Sequence, residues 1–267
     1  MLVLHIIQQN KEGLLLSKLN TYKWLNVVAI AAVLVMNYLA ATLPLFGRGT
    51  GEISDMFEIL LTPASYAFSI WSVIYLLLVG FVIYQFRNSS ESKDGIEAVG
   101  IWLVINSLCN IIWLFFWHSL LTEIATVIII LLLLTTIVLY VRTRRIVRPS
   151  VAQIILVKLP FSIYMGWVSV ATILNIGIVL HKNDWSGFGI SPTVWSVIGL
   201  IAGALIALVI GYRYRDSIYP LVFVWAYSAI AFKHQDSHAT WLTAIILAVI
   251  LFIYAIFIFF ARNRTRD

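Results

Sequence analysis

Three stretches of the chain repeat one arrangement: aromatic rings and amides at helical spacing inside otherwise apolar runs. Phe68, Trp71 and Tyr75 fall at i, i+3 and i+7, and Asn106, Asn110, Trp113 and Trp117 at i, i+4, i+7 and i+11. Tyr164, Trp167, Ala171 and Asn175 make a third set, with Ser169 and Thr172 close by. Residues at these intervals share one face of a helix, so each set is a stripe. Amides and small residues on such stripes act as glue between membrane helices. Taken together, the stripes can also line an apolar cavity rimmed by a few hydrogen-bonding groups, which suits a flat hydrophobic ligand.

Other chemistry is sparse. No nucleophile–base pairing, Gly-rich phosphate loop or paired intramembrane carboxylates can be read, so no catalytic residue is assigned. Four of the five histidines, His118, His181, His234 and His238, sit near Glu123, Asp184 and Asp236, where a metal or haem-iron site can be drawn. The loops carrying them are not adjacent in sequence, and no metal ligand is assigned. The single cysteine, Cys109, excludes an intramolecular disulfide and reads as a small packing residue.

The elements that must position these groups follow from composition. Of 267 residues, 61% are hydrophobic and 11% charged, and the mean hydropathy is +0.96. A soluble domain carries about a quarter charged residues, so a soluble enzyme is excluded and an integral membrane protein expected. Eight runs approach the roughly 20 apolar residues that cross a bilayer: 24–45, 66–86, 99–117, 125–141, 151–180, 195–212, 218–232 and 239–260. The seventh is short, and Pro160 in the fifth predicts a kink or an interfacial turn. The fold class is therefore all-α, a polytopic transmembrane helix bundle of about eight spans.

Charge orients the bundle. With eight spans, fifteen of the 18 Lys/Arg fall on the side of both termini, and Arg48, Lys182 and Lys233 on the other. That bias places both termini in the cytoplasm of a multi-pass cell-membrane protein. The net charge of +6 is thus an orientation signal, and no nucleic-acid partner is implied. Ionisable groups are read as absent from the span interiors, which argues against an ion-coupled pump. Residues 1–22 lack the features of a cleavable signal and are read as a cytoplasmic segment. Trp24, Trp117, Trp185, Trp195 and Trp241 lie at span ends and are read as interface anchors. Trp71, Trp113, Trp167 and Trp225 lie deeper, where their N–H groups need partners.

The three stripes also carry a resemblance. Thr62-Pro63-Ala64-Ser65-Tyr66-Ala67-Phe68-Ser69-Ile70-Trp71-Ser72-Val73-Ile74-Tyr75, with Gly80 beyond, resembles the second-helix signature of the tryptophan-rich sensory protein family (TspO/MBR, the translocator protein or peripheral benzodiazepine receptor group). Asn110-Ile111-Ile112-Trp113-Leu114-Phe115-Phe116 is similar to its third-helix motif, and Trp167-Val168-Ser169-Val170-Ala171-Thr172-Ile173-Leu174-Asn175 to its fifth. The likeness runs over the first five spans. It implies a five-helix unit over 23–182, followed by a three-span extension with a basic tail over 183–267.

The resemblance further implies a pocket for a hydrophobic small molecule, a tetrapyrrole being the candidate ligand, with no required cofactor. Trp71 and Trp167 would face that pocket, with Tyr75, Asn110, Trp113 and Ala171 nearby; Phe68, Tyr164 and Asn175 complete the candidate set. Porphyrin breakdown is reported for some members and rests here on the resemblance alone. The family's first-loop Trp-x-Pro-Pro is Leu60-Leu61-Thr62-Pro63 in this chain, one Trp and one Pro fewer. Two functions follow: a binding or sensory protein for a flat ligand, or a facilitator of a small amphipathic metabolite. The partners expected are that ligand and the lipid bilayer, with room for a homodimer.

Overall fold

The computed structural model describes residues 2–42 and 47–264; Leu45, the expected end of the first span, and Arg266 lie outside the described residues. The elements are α1 (Leu2–Thr42), α2 (Thr50–Asp55), a 3-10 turn (Ser65–Ser69), α3 (Ile70–Tyr84), α4 (Ser90–Val99) and α5 (Trp102–His118). Then come α6 (Thr122–Arg144), α7 (Val151–Gln153), a π-helical turn (Ile154–Lys158) and α8 (Leu159–Lys182). A 3-10 turn (Gly187–Gly189), α9 (Pro192–Tyr214), α10 (Ile218–Lys233) and α11 (His238–Arg264) complete the chain. The protein is an all-α polytopic helix bundle. No strand occurs among the described residues.

Six helical runs are each long and apolar enough to cross a membrane, and the bent pair α4–α5 makes a seventh. Side chains such as Leu76, Val127, Val209 and Phe257 stand exposed along their outer faces, as a bilayer-immersed surface requires. The remaining helix, α10, has 16 residues. At 1.5 Å per residue it falls short of the ~30 Å hydrocarbon core. It is tolerated because α8, α9 and α11 pack around it, so protein rather than lipid meets its ends.

Local chemistry explains the boundaries. The third span was expected over 99–117, but its helix begins at Trp102 after a 50° bend. Gly100 makes that bend at φ +53°, a conformation costly for a residue with a Cβ. Helix α1 runs unbroken from Leu2, so the segment expected only to precede the first span continues it as helix. Pro160 does not break its helix. It sits at the start of α8, directly after the π-helical turn, where the register already changes and its missing N–H matters least.

Helix α8 is the centre of the molecule, with fifteen of its 24 residues buried. It contacts α3 and α6 on one side and α9 and α10 on the other, and α1 packs on α3 and α5. Gly166 permits the α8–α10 approach: a Cβ there would lie 2.8 Å from Val222 Cβ.

One reading of charge needs correction, that ionisable groups are absent from the spans. Lys158, one of the fifteen basic residues counted on the side of the termini, lies in the Val151–Lys182 run and is only 8% exposed. Its Nζ donates to the Ile146 carbonyl at 2.9 Å, which satisfies one proton of a buried ammonium. Asp216, between α9 and α10, is 2% exposed. It accepts from Tyr140 Oη at 2.9 Å, from Arg144 and Ser162, and from the Ile218 amide at 3.1 Å. Both groups lie at the end of the bundle that carries the arginines, Lys158 within a span and Asp216 in the connection between two.

Candidate functional site

The three stripes meet. Trp71 on α3 stacks on Tyr75 at 5.6 Å between ring centroids and lies 5.7 Å from Trp113 of α5 and 5.8 Å from Tyr164 of α8. Phe68 meets Trp167 edge-on at 5.5 Å. Amides thread between the rings. Asn110 Nδ2 donates to Tyr164 Oη at 3.2 Å, and Trp113 Nε1 to Asn175 Oδ1 at 3.4 Å. Tyr75 Oη lies 3.1 Å from Asn37 Oδ1 and 3.4 Å from Asn110 Oδ1. One hydroxyl proton serves one acceptor well, and the nearer is Asn37. Ala171 contributes its carbonyl, which accepts from Asn175 Nδ2 at 2.8 Å and holds that amide in place.

All nine candidate residues therefore fall in one region between α3, α5 and α8. Eight are buried and Phe68 is half-buried. None of the nine carries a formal charge. Its rings make two contacting sets, Trp71 with Tyr75, Trp113 and Tyr164, and Phe68 with Trp167. One donor stands out: Trp167 Nε1 is buried and has no hydrogen-bond partner among the described residues. Leaving such a group unpaired costs about 1–3 kcal/mol.

Sequence spacing alone did not reach Asn37, which comes from α1, or Thr126 of α6, whose hydroxyl donates to the Asn175 carbonyl at 3.2 Å. For Asn37 the available signal was a lone amide in an apolar run. Trp117 was expected at the membrane interface, but it is 1% exposed and stacks on Trp113 at 5.8 Å. Helix α2 folds over that end, and the Thr50 carbonyl accepts its N–H at 3.2 Å. Asn106, on the α5 stripe, serves as glue instead: its amide donates to Thr135 and Thr136 of α6 at 2.9 and 2.8 Å. Ser169 points to α10 and meets Tyr219 Oη at 2.9 Å. The indole of Trp225 reaches the Ala67 carbonyl at 3.0 Å.

The histidines stay apart. His118 Nδ1 lies 2.8 Å from the Leu114 carbonyl, His234 Nε2 2.9 Å from the Thr62 carbonyl, and His238 packs on Trp241. Among the described residues no group of three or more His, Cys, Asp or Glu is placed to hold a metal ion.

A family model described as TSPO-like protein matches residues 23–257. That match runs through α9, α10 and most of α11, beyond the first five spans. No curated protein and no solved structure matches the chain.

Proposed function

The chain belongs to the TSPO-like protein family, and from that premise we propose that it binds a flat hydrophobic molecule of the porphyrin class within the α3–α5–α8 cluster. The observation that carries this reading is the buried, unpaired Trp167 Nε1. A donor held without an acceptor in an apolar interior is a cost that a ligand acceptor removes. The neighbouring bonds favour exchange as well. Those joining Trp113 to Asn175 and Asn110 to Tyr164, at 3.4 and 3.2 Å, are longer than the ~2.9–3.0 Å of a well-made N–H···O bond. A planar ring system inserted beside Trp71 would replace ring–ring contacts with contacts of the same kind, so opening the cluster forfeits little aromatic packing.

Protoporphyrin IX titrated into the purified protein in nanodiscs is expected to quench tryptophan fluorescence saturably. Trp167→Phe should weaken that binding about tenfold, the loss of a hydrogen bond worth ~1.4 kcal/mol, and Trp71→Phe should weaken it less. Saturable binding equal in wild type and both variants would place any porphyrin elsewhere and end this assignment.

A further inference from the structure

A second site lies on the other side of α8. Between the last turns of α8, the first turns of α9 and the 58–61 segment there is a cleft of about 390 Å³, within the ~300–1,000 Å³ range of small-molecule sites. None of the nine cluster residues lines it. Its floor is apolar, built from Ile59, Leu61, Ile173, Gly177 and Gly199 among others. The two glycines are notches: a Cβ at Gly177 would approach Ile59 to 3.2 Å, and one at Gly199 would approach Leu61 to 3.0 Å. The flank is open, since Ile176 and Ile198 are 42% and 40% exposed on the side facing lipid.

The lining differs from the floor in chemistry at Glu58, His181, Trp185 and Trp195. The two indoles lie 4.9 Å apart, and Trp195 is fixed by its N–H bond to the Gly187 carbonyl at 3.0 Å. Two cations at this end of the bundle are already committed. Lys182 pairs with Glu123 at 3.1 Å, and Lys233 pairs with Asp55. Glu58 is exposed and makes no ion pair among the described residues. A carboxylate and paired indoles lining one apolar, laterally open slot are complementary to an ammonium group on an apolar body.

We propose that this cleft binds a small amphipathic ammonium compound, its apolar part against Leu61, Ile173 and Gly199 and its cationic head between Glu58 and the Trp185–Trp195 pair. This site is separate from the α3–α5–α8 cluster and stands without it.

The test uses the full chain in nanodiscs of zwitterionic lipid and a diazirine-bearing alkyltrimethylammonium probe, with labelled positions mapped by mass spectrometry. Labelling is expected to concentrate in 58–61, 173–180 and 190–199. Dodecyltrimethylammonium should compete at least fivefold better than dodecyl sulfate. Glu58→Gln, an exposed change that leaves the bundle intact, should erase that preference. Ile176→Trp, which fills the slot from α8, should lower labelling by either sign of probe. Both variants should keep wild-type protoporphyrin quenching.

Equal labelling by an anionic diazirine probe, or an unchanged preference in Glu58→Gln, would reduce the cleft to a groove filled by ordinary lipid and overturn the proposal. Loss of porphyrin quenching in Glu58→Gln would make the two sites one, and equally overturn it.

Discussion

Asp216 shows how a single side chain can hold three segments together. Its carboxylate accepts from Tyr140 and Arg144 of α6 and Ser162 of α8, while its other oxygen caps the start of α10 through the Ile218 amide. The Arg144 guanidinium also lies 4.8 Å over the Tyr140 ring. Removing one partner of a buried ion pair costs more than removing both, because the survivor is stranded without compensation. Asp216→Asn is therefore expected to destabilise the protein by about 3–5 kcal/mol, seen as a large fall in the detergent-solubilised melting temperature. Arg144→Met in the Asp216→Asn background should recover part of that loss. If the double variant melts below the single one, the pair is not the source of the effect. None of this was legible in the sequence, because Asp216 stands 54, 72 and 76 residues from its side-chain partners and periodicity sees only neighbours. Tyr164, Trp167, Ala171 and Asn175 were legible for the opposite reason: one helix carries all four, and its period is fixed.

At the level of elements, the 56–64 segment is pinned to the end of α10. His234 Nε2 donates to the Thr62 carbonyl at 2.9 Å, Lys233 Nζ donates to Thr62 Oγ1 at 2.9 Å, and Asp55 bonds both Lys233 and Ser65. Burial pushes the His234 imidazole below its ordinary value, helped by Lys233 and opposed by the Thr62 carbonyl and Asp55. A depressed imidazole contributes stability that is fully present above its unfolded value, about 6.5, and lost as pH falls through the lower folded value. The melting temperature should therefore drop between pH 7.5 and pH 5. In His234→Gln, whose amide can keep the bond to Thr62 without titrating, that drop should be smaller. Parallel pH slopes in the two proteins would show that this contact does not titrate with folding. Helix α2, which precedes that segment, buries Trp117, whose place at a span end had pointed to the membrane interface. A stripe reports which face a ring is on, but not that α2 folds back over its end.

For the whole molecule, the alternation of helices brings α1, α6, α9 and α11 to one end with their Arg- and Lys-bearing termini or neighbours. The ties Arg142 to the Glu97 and Ala98 carbonyls and Arg144 to Asp216 mark that end. The opposite end is marked by Trp117 to Thr50, Lys182 to Glu123 and His234 to Thr62. Fifteen of the 18 basic residues were assigned to the first end. Lys158 is buried and Arg144 is paired with Asp216, yet without these two the remaining thirteen still outnumber the three opposite them, of which Lys182 and Lys233 are held in ion pairs. Only short-loop charges near the span ends set orientation, and these thirteen include Arg87, Arg142, Arg145, Arg213 and Arg215, each beside a helix end. The expected orientation therefore has the arginine end in the cytoplasm, with both termini there because α1 begins and α11 finishes at that end. Green fluorescent protein fused to either terminus should fluoresce in a bacterial host, and alkaline phosphatase at the same positions should be inactive. Activity of the phosphatase at one terminus only would mean that the short α10 does not cross and the span count is odd. Activity at both would mean that the charge bias does not set the orientation of this bundle.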